Sequence, residues 1–406
     1  MSRSPAPGCF GVGDRFCDRS GRMTSSLGIR LVTTLRALAS RARPRRRPGA
    51  PVRRILVAHY LLLGDTILLA PLLKALAMRH PQAELVVLAR PAVAPLFEGR
   101  PYGATVLPFD RRDAASRRRV IDSGPYDLAI VPDDNRYAWL ARAAGARHVV
   151  GFADDRPAWK NWMLDRAVPY PGEPAAWADM AARCLHDGVD DGPVARFVAG
   201  EWPAPSHGAF ARPQTPYAVL HVGASTPLKA WPAPRWRALA DRLAADGLTI
   251  AWSGGAAERA AFDDVGPREG ELDFVGRLDL AQLWHLLAGA RVLVCPDTGI
   301  AHLARIAGVE TLALFGPGST VIHGPGDFWA DAPFGTITVD GFPCRDQRTL
   351  YRREIAWVRR CGRRHDPSVE PAGRSDPAAC SRPLCMEGIE LATVVDRWSS
   401  IREGDR

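Results

Sequence analysis

The first 22 residues are rich in Gly, Pro and Arg and contain no apolar h-region, so a secretory signal is not expected. Whether Met1 or Met23 begins the protein stays open. There is no GxGxxG fingerprint, no Walker loop and no DxD-like acidic pair. These absences remove the simplest dinucleotide, P-loop and metal-diphosphate readings. Eight cysteines in 406 residues do not make a secreted disulfide framework. Four of them, Cys344, Cys361, Cys380 and Cys385, crowd the last 65 residues. Their spacing is not that of paired CxxC knuckles, so two readings stand, reduced thiols or a structural zinc or iron site.

The composition that remains, 47% hydrophobic and 24% charged, is that of a globular protein. Its length suggests two domains of roughly 150–200 residues. The net charge of +9 has a location: residues 1–54 hold 13 Arg, no Lys and two Asp, so the rest of the chain is slightly acidic. Nucleic acid is therefore not an expected partner. Residues 1–52 read as a basic extension, either a disordered solvated tail or a segment drawn to an anionic membrane surface. Leu27, Leu31, Leu35 and Leu38, with Arg between them, have the spacing of an interfacial helix.

One apolar run, residues 55–78, is nearly long enough to cross a bilayer. It also contains Gly64, Asp65, Pro71 and Lys74, and a central Asp is costly in lipid. A strand at 53–59 followed by a helix at 65–79 describes it better. Strands at 84–90, 104–110 and 126–132 alternate with helices, one of them at 136–146. A Pro-rich linker spans 201–216, and the alternation then restarts. Strands are expected at 217–223, 248–255, 291–297 and 310–318, with helices at 233–247, 281–290, 298–308 and 388–398. The class is α/β, two doubly wound halves with a cleft between their strands' carboxyl ends.

Candidate chemistry collects at strand-to-helix turns. Asp65 is either a helix cap or a base, its environment set by Leu61, Leu62 and Leu63. In "HVGASTPLKAWP", Ser225, Thr226 and nearby N–H groups suit phosphate oxygens, with Lys229 as a cation, or form a plain surface loop. Glu258 after "SGG" either accepts from ribose hydroxyls or is a first-turn helix acid. In "CPDTGIAHLA", Asp297 or Thr298 caps a helix, Gly299 allows close approach, and His302 lies one turn on. Cys295 reads as a packed small side chain. "FGPGS" (315–319) adds a glycine-rich loop. The second half thus suits a nucleotide-diphosphate donor, and the first an acceptor and base.

These segments, with "ILVAHYLLLGDTILLAPLLKALAMRHPQAELVVLAR" ahead of them, resemble the ADP-heptose:lipopolysaccharide heptosyltransferases, glycosyltransferase family 9, from about Arg54 to Gly326. The resemblance implies a GT-B fold of two Rossmann-like domains facing across a cleft. An acceptor domain would span 53–205 and a donor domain 206–343, with a Cys/Arg-rich segment and last helix at 344–406. It implies inverting transfer of heptose from ADP-heptose to an inner-core, Kdo-lipid A type acceptor, with no catalytic metal or cofactor, at the cytoplasmic face of the inner membrane. By position, Asp65 matches the catalytic base and Lys229 the lysine at the donor phosphates. Glu258 resembles the acid at the adenosine ribose. Asp297, Thr298, Gly299 and His302 match the turn at the diphosphate and sugar, and Ser225 and Thr226 the hydroxyl pair. Gly64 and Arg136 fall on the acceptor side. Protein-modifying relatives carry an iron-binding Cys motif near the C-terminus. The "HYLLL" preceding Gly64 departs from the small polar residues of many relatives, which leaves open a different acceptor, such as a protein hydroxyl or another glycan. A non-catalytic nucleotide-sugar-binding protein is the remaining alternative.

Overall fold

Short aliphatic runs behind charged flanks form two parallel sheets in the computed structural model, which describes residues 26–42, 51–185, 195–371 and 374–404. The first contains β1 (Arg54–Val57), β2 (Glu84–Ala89), β3 (Ala104–Pro108), β4 (Leu128–Val131), β5 (His148–Phe152) and β6 (Arg166–Val168). Their order is β3-β2-β1-β4-β5-β6. The second contains β7 (Tyr217–His221), β8 (Thr249–Ser253), β9 (Leu272–Asp273), β10 (Val292–Pro296), β11 (Thr311–Phe315) and β12 (Phe334–Thr338), ordered β12-β11-β10-β7-β8-β9. Every residue of β7, β10 and β11 is buried, as expected of strands covered on both faces. Each sheet reverses its winding at a central pair, β1/β4 in one and β7/β10 in the other. The crevice beyond the strand ends at such a point is where these sheets bind ligands.

The helices, in chain order, are α1 (Ser26–Arg41), α2 (Leu63–Ile67), α3 (Ala70–Arg79), α4 (Ala114–Asp122), α5 (Arg136–Ala143), α6 (Trp177–Ala182) and α7 (Ala233–Ala245). They continue with α8 (Arg259–Val265), α9 (Leu280–Ala288), α10 (Gly299–Ala307), α11 (Thr320–His323), α12 (Leu384–Glu387) and α13 (Leu391–Gly404). The expected helix over 65–79 is two helices, α2 and α3, broken at Leu68–Leu69. Pro71 explains the break: without an N–H it suits a first turn and disrupts an interior. Among the described residues no helix is long and apolar enough to cross a membrane.

Residues 26–41 of the basic extension form α1, which packs along α5 and α4 through Ile29, Thr33 and Ala37. Residues 1–25 and 43–50, with Met23, and the side chain of Leu27 lie outside the described residues. The segment 201–216 has no regular structure, yet it is tied down. Trp202 Nε1 donates to the Leu96 carbonyl at 2.6 Å, and Ser206 Oγ donates to Glu98 at 2.8 Å.

The Cys-rich C-terminal segment bridges both halves. Trp398 on α13 donates to Asp246 at the end of α7. A hairpin at 349–354 reaches the first half. There the buried Arg353 donates to the carbonyls of Ala153 (2.7 Å), Asp133 (2.6 Å) and Phe152 (3.1 Å). Asp179 on α6 accepts from the backbone N–H groups of Asp327 and Phe328.

Candidate active site

Asp65 stands on α2, directly after β1, at the first sheet's switch point. It does not cap that helix: Leu62 occupies the cap position and makes no side-chain bond. The capping reading of Asp65 therefore gives way to a carboxylate in the cleft. Its oxygen lies 3.7 Å from His323 Nε2, and burial together with its charge raises the pKa of the neighbouring Tyr351 hydroxyl. The expected Leu61–Leu63 wall is divided. Leu61 is buried in the core, Leu62 is exposed, and Leu63 packs on Gly299.

The two halves touch at this turn. A Cβ added to Gly64 would sit 2.6 Å from His302 Cδ2 and 3.1 Å from the Gly299 Cα. One added to Gly299 would sit 3.1 Å from the Gly64 nitrogen. Paired glycines thus allow α2 and α10 to approach. They place His302 beside the Asp65 turn.

Lys229 closes a short turn (Pro227–Lys229) after β7. Its Nζ donates to the Asp297 carbonyl at 2.7 Å and the Asp297 carboxylate at 2.8 Å. Two of its three donors are therefore used, leaving one for a ligand. Burial alone would raise the pKa of Asp297, but Lys229, His323 and Arg360 outweigh it and hold the carboxyl below its usual range. Burial, with help from Arg305, His323 and Lys229, lowers the His302 pKa far below its ordinary value, so that ring is neutral.

Thr298 holds the cap position of α10 without making a side-chain cap bond, and its buried Oγ1 has no partner among the described residues. His302 Nδ1 and His323 Nδ1 are also buried and unpartnered. Such atoms are costly unless a ligand satisfies them. Thr226 spends its hydroxyl on the Leu228 N–H, whereas Ser225 is exposed. Glu258 makes no cap bond, and its carboxylate folds over Gly255.

Asp65, Gly64, Lys229, Asp297, Thr298, Gly299 and His302 are thus connected through direct contacts at the switch points. Arg136 is elsewhere: it pairs with Asp134 at 2.8 Å and lines a cavity beside α1. Cys295 is fully buried and burial raises its thiol pKa, as expected of a packed side chain. Cys344, Cys361, Cys380 and Cys385 do come together, around a cavity of about 20 Å³. Four sulfurs fit the chemistry of a soft metal. Among the described residues, however, no group of three or more His, Cys, Asp or Glu is arranged to hold one. Burial pushes the Cys385 thiol up to about 11.

Sequence reasoning missed His323 and Tyr351. His323 lies just past the glycine-rich loop, on α11, so the loop was a usable signal. Arg305 fixes it by donating to the His323 and Gly324 carbonyls. Tyr351 has no local signal, because a hairpin far along the chain delivers it.

Comparison with known proteins bears on the family and the fold. Residues 115–328, just over half of the chain, match the family model for glycosyltransferase family 9 (heptosyltransferase). The chain is 29% identical over 329 residues to lipopolysaccharide heptosyltransferase 1 of Pseudomonas aeruginosa, covering 73% of this chain and 90% of that one. Its fold is similar to ADP-heptose LPS heptosyltransferase II of E. coli, with a TM-score of 0.61, 18% identity, and 87% and 99% of the two chains covered. It is also similar to the iron-containing dodecameric glycosyltransferase TibC of enterotoxigenic E. coli, with a TM-score of 0.52, 15% identity, and 88% and 78% covered. The two-sheet architecture is the GT-B fold of these enzymes.

Proposed function

The chain belongs to glycosyltransferase family 9, the heptosyltransferases, and from that membership we propose that it transfers heptose from ADP-heptose to an anionic inner-core lipopolysaccharide acceptor of the Kdo-lipid A type. The reaction runs at the cytoplasmic face of the inner membrane. The observation that carries the reading is Asp65 at one switch point, next to Gly64, whose backbone meets the His302 and Gly299 turn at the other.

Asp65 removes the proton from an acceptor hydroxyl, held in orientation by His323 and Tyr351. The acceptor oxygen bonds to the anomeric carbon as the bond to ADP breaks on the opposite face. The configuration is inverted and the proton ends on Asp65. Charge developing on the departing diphosphate meets the third N–H of Lys229 and the uncapped N-terminus of α10, which serve in place of a metal. Glu258 and Ser225 complete the donor side, and Gly64 the acceptor side.

Replacing Asp65 by Ala is expected to lower transfer by about 10²–10⁴-fold while ADP binding, measured by calorimetry, is retained. Near-wild-type turnover in that variant sinks the assignment. Intact-mass analysis of the product separates a lipopolysaccharide acceptor from a protein hydroxyl or another glycan.

Of the two readings of Cys344, Cys361, Cys380 and Cys385, reduced thiols are favoured over a structural zinc or iron, because burial raises the Cys344 and Cys385 thiols and no described group is arranged to hold a metal. Metal analysis of the purified protein tests this reading, and about one equivalent of zinc or iron, released on thiol modification, would overturn it.

A further inference from the structure

The mechanism above leaves one strongly charged feature unused. Helix α1 has no acidic residue and carries Arg30, Arg36 and Arg41. One face docks on the first half, fixed by Arg36 to Asp122 at 3.6 Å and by Arg41 to the Leu164 carbonyl. Its other face exposes Leu31, Leu35 and Leu38, at 59%, 58% and 49%. Their spacing makes one apolar stripe.

Between α1, α4 and α5 lies a cavity of about 690 Å³. Arg30, Arg111, Arg112, Arg117 and Arg136 line it, with Asp113 as its one carboxylate. Asp113 is occupied, accepting from the Ala115 and Ser116 N–H groups and lying 3.7 Å from Arg119. Arg136 has Asp134. None of the other four has a carboxylate within 4 Å among the described residues. Burial, then Arg30 and Arg136, push the Arg117 pKa down, the mark of crowded like charge. Such a cluster is stabilised by an anion. Exposed Trp159 lines the same cavity, and exposed Trp162 lies one turn on. Indole rings of this kind favour the headgroup level of a bilayer.

We propose that this arginine-lined cavity takes the phosphate headgroup of an anionic bilayer lipid, with Leu31, Leu35 and Leu38 inserted beside it. The cavity's charge and the adjoining apolar stripe are the two parts such a surface requires. Arg111 also stacks over the Tyr60 ring at 5.2 Å. Tyr60 lies in the loop that leads into α2 and Asp65, so the bilayer would lie next to the acceptor side of the active site. The inference deepens the proposed function by giving its membrane contact a place, and it rests on that reading for its purpose alone.

The test is flotation of the full chain with phosphatidylcholine vesicles, with and without about 30 mol% phosphatidylglycerol, at ~50 and ~500 mM salt. Binding is expected on the anionic vesicles and should weaken with salt. A double variant, Arg30→Glu with Arg112→Glu, should reduce it at least about tenfold. A triple variant, Leu31→Ser, Leu35→Ser and Leu38→Ser, should do the same through exposed positions that leave the fold intact. Undiminished binding in both variants overturns the proposal, because the arginines at 43, 45, 46 and 47 would then suffice. Equal binding to neutral vesicles also overturns it. Heptose transfer to a delipidated acceptor, measured in parallel, keeps the two readings apart. Vesicle binding without transfer would refute only the function, and transfer without vesicle binding only this site.

Discussion

Asp65 is held by two side chains from distant parts of the chain, His323 on α11 and Tyr351 on the C-terminal hairpin. Burial and the neighbouring Asp65 carboxylate raise the Tyr351 pKa well above its usual value, so its hydroxyl stays protonated as a donor. A protonated hydroxyl beside Asp65 would steady the carboxylate without taking its charge. Tyr351→Phe should therefore lower kcat by about 3–10-fold, the worth of one hydrogen bond of roughly 0.5–1.5 kcal/mol. KM for the donor should hardly change, and a change confined to that KM would show that Tyr351 serves the donor site instead. Asp65 itself was legible in the sequence as an acid at a strand-to-helix turn. Its partners were not, since neither lies within 250 residues of it along the chain. Lys229 was legible as a cation in the turn after a strand, yet its pairing with Asp297 appears only when β7 and β10 lie side by side.

At the scale of elements, the contact between α2 and α10 decides how the halves meet. Gly64 and Gly299 are there for their lack of a side chain, since either Cβ would separate the helices. Gly64→Ala should shift His302 or open the contact by a few tenths of an ångström or more. The expected result is a loss of transfer of at least about tenfold, because small misplacements are amplified in catalysis. The thermal midpoint should fall only modestly. A variant with unchanged turnover would remove this contact from the mechanism. Most strands were legible, because parallel strands buried on both faces are continuous aliphatic runs. The break between α2 and α3 was less so: apolar periodicity continues across it, and only Pro71 marks it. The hairpin at 349–354 was not legible at all. Its Arg353 is anchored by carbonyls about 200 residues away, which no local pattern records.

For the whole molecule, three buried histidines govern the response to acid. Burial lowers His59 to about 3, where Asp65 opposes and Arg90 assists, and lowers His221 to about 4. His302 is lowered as well. Each takes up a proton near pH 6.5 in the unfolded chain and resists it when folded. Their stabilisation is complete above about 6.5 and is lost as pH falls toward 4 and 3. Each withheld proton steepens the decline by about 1.4 kcal/mol per pH unit. Thermal melts between pH 7.5 and 4.5 should show a marked fall in Tm, reduced in His221→Gln; a flat profile would contradict the buried neutral rings. The sequence by itself determined the α/β alternation, the two halves and the turns that carry Asp65, Lys229 and Asp297, because apolar period, glycine and capping chemistry act over a few residues. Only the tertiary structure decided which turns face one another, that Lys229 pairs with Asp297, that Tyr351 and His323 lie beside Asp65, and that α1 roofs an arginine cavity. Those facts depend on contacts between residues far apart in the chain, and burial and charge compensation are properties of the assembled interior.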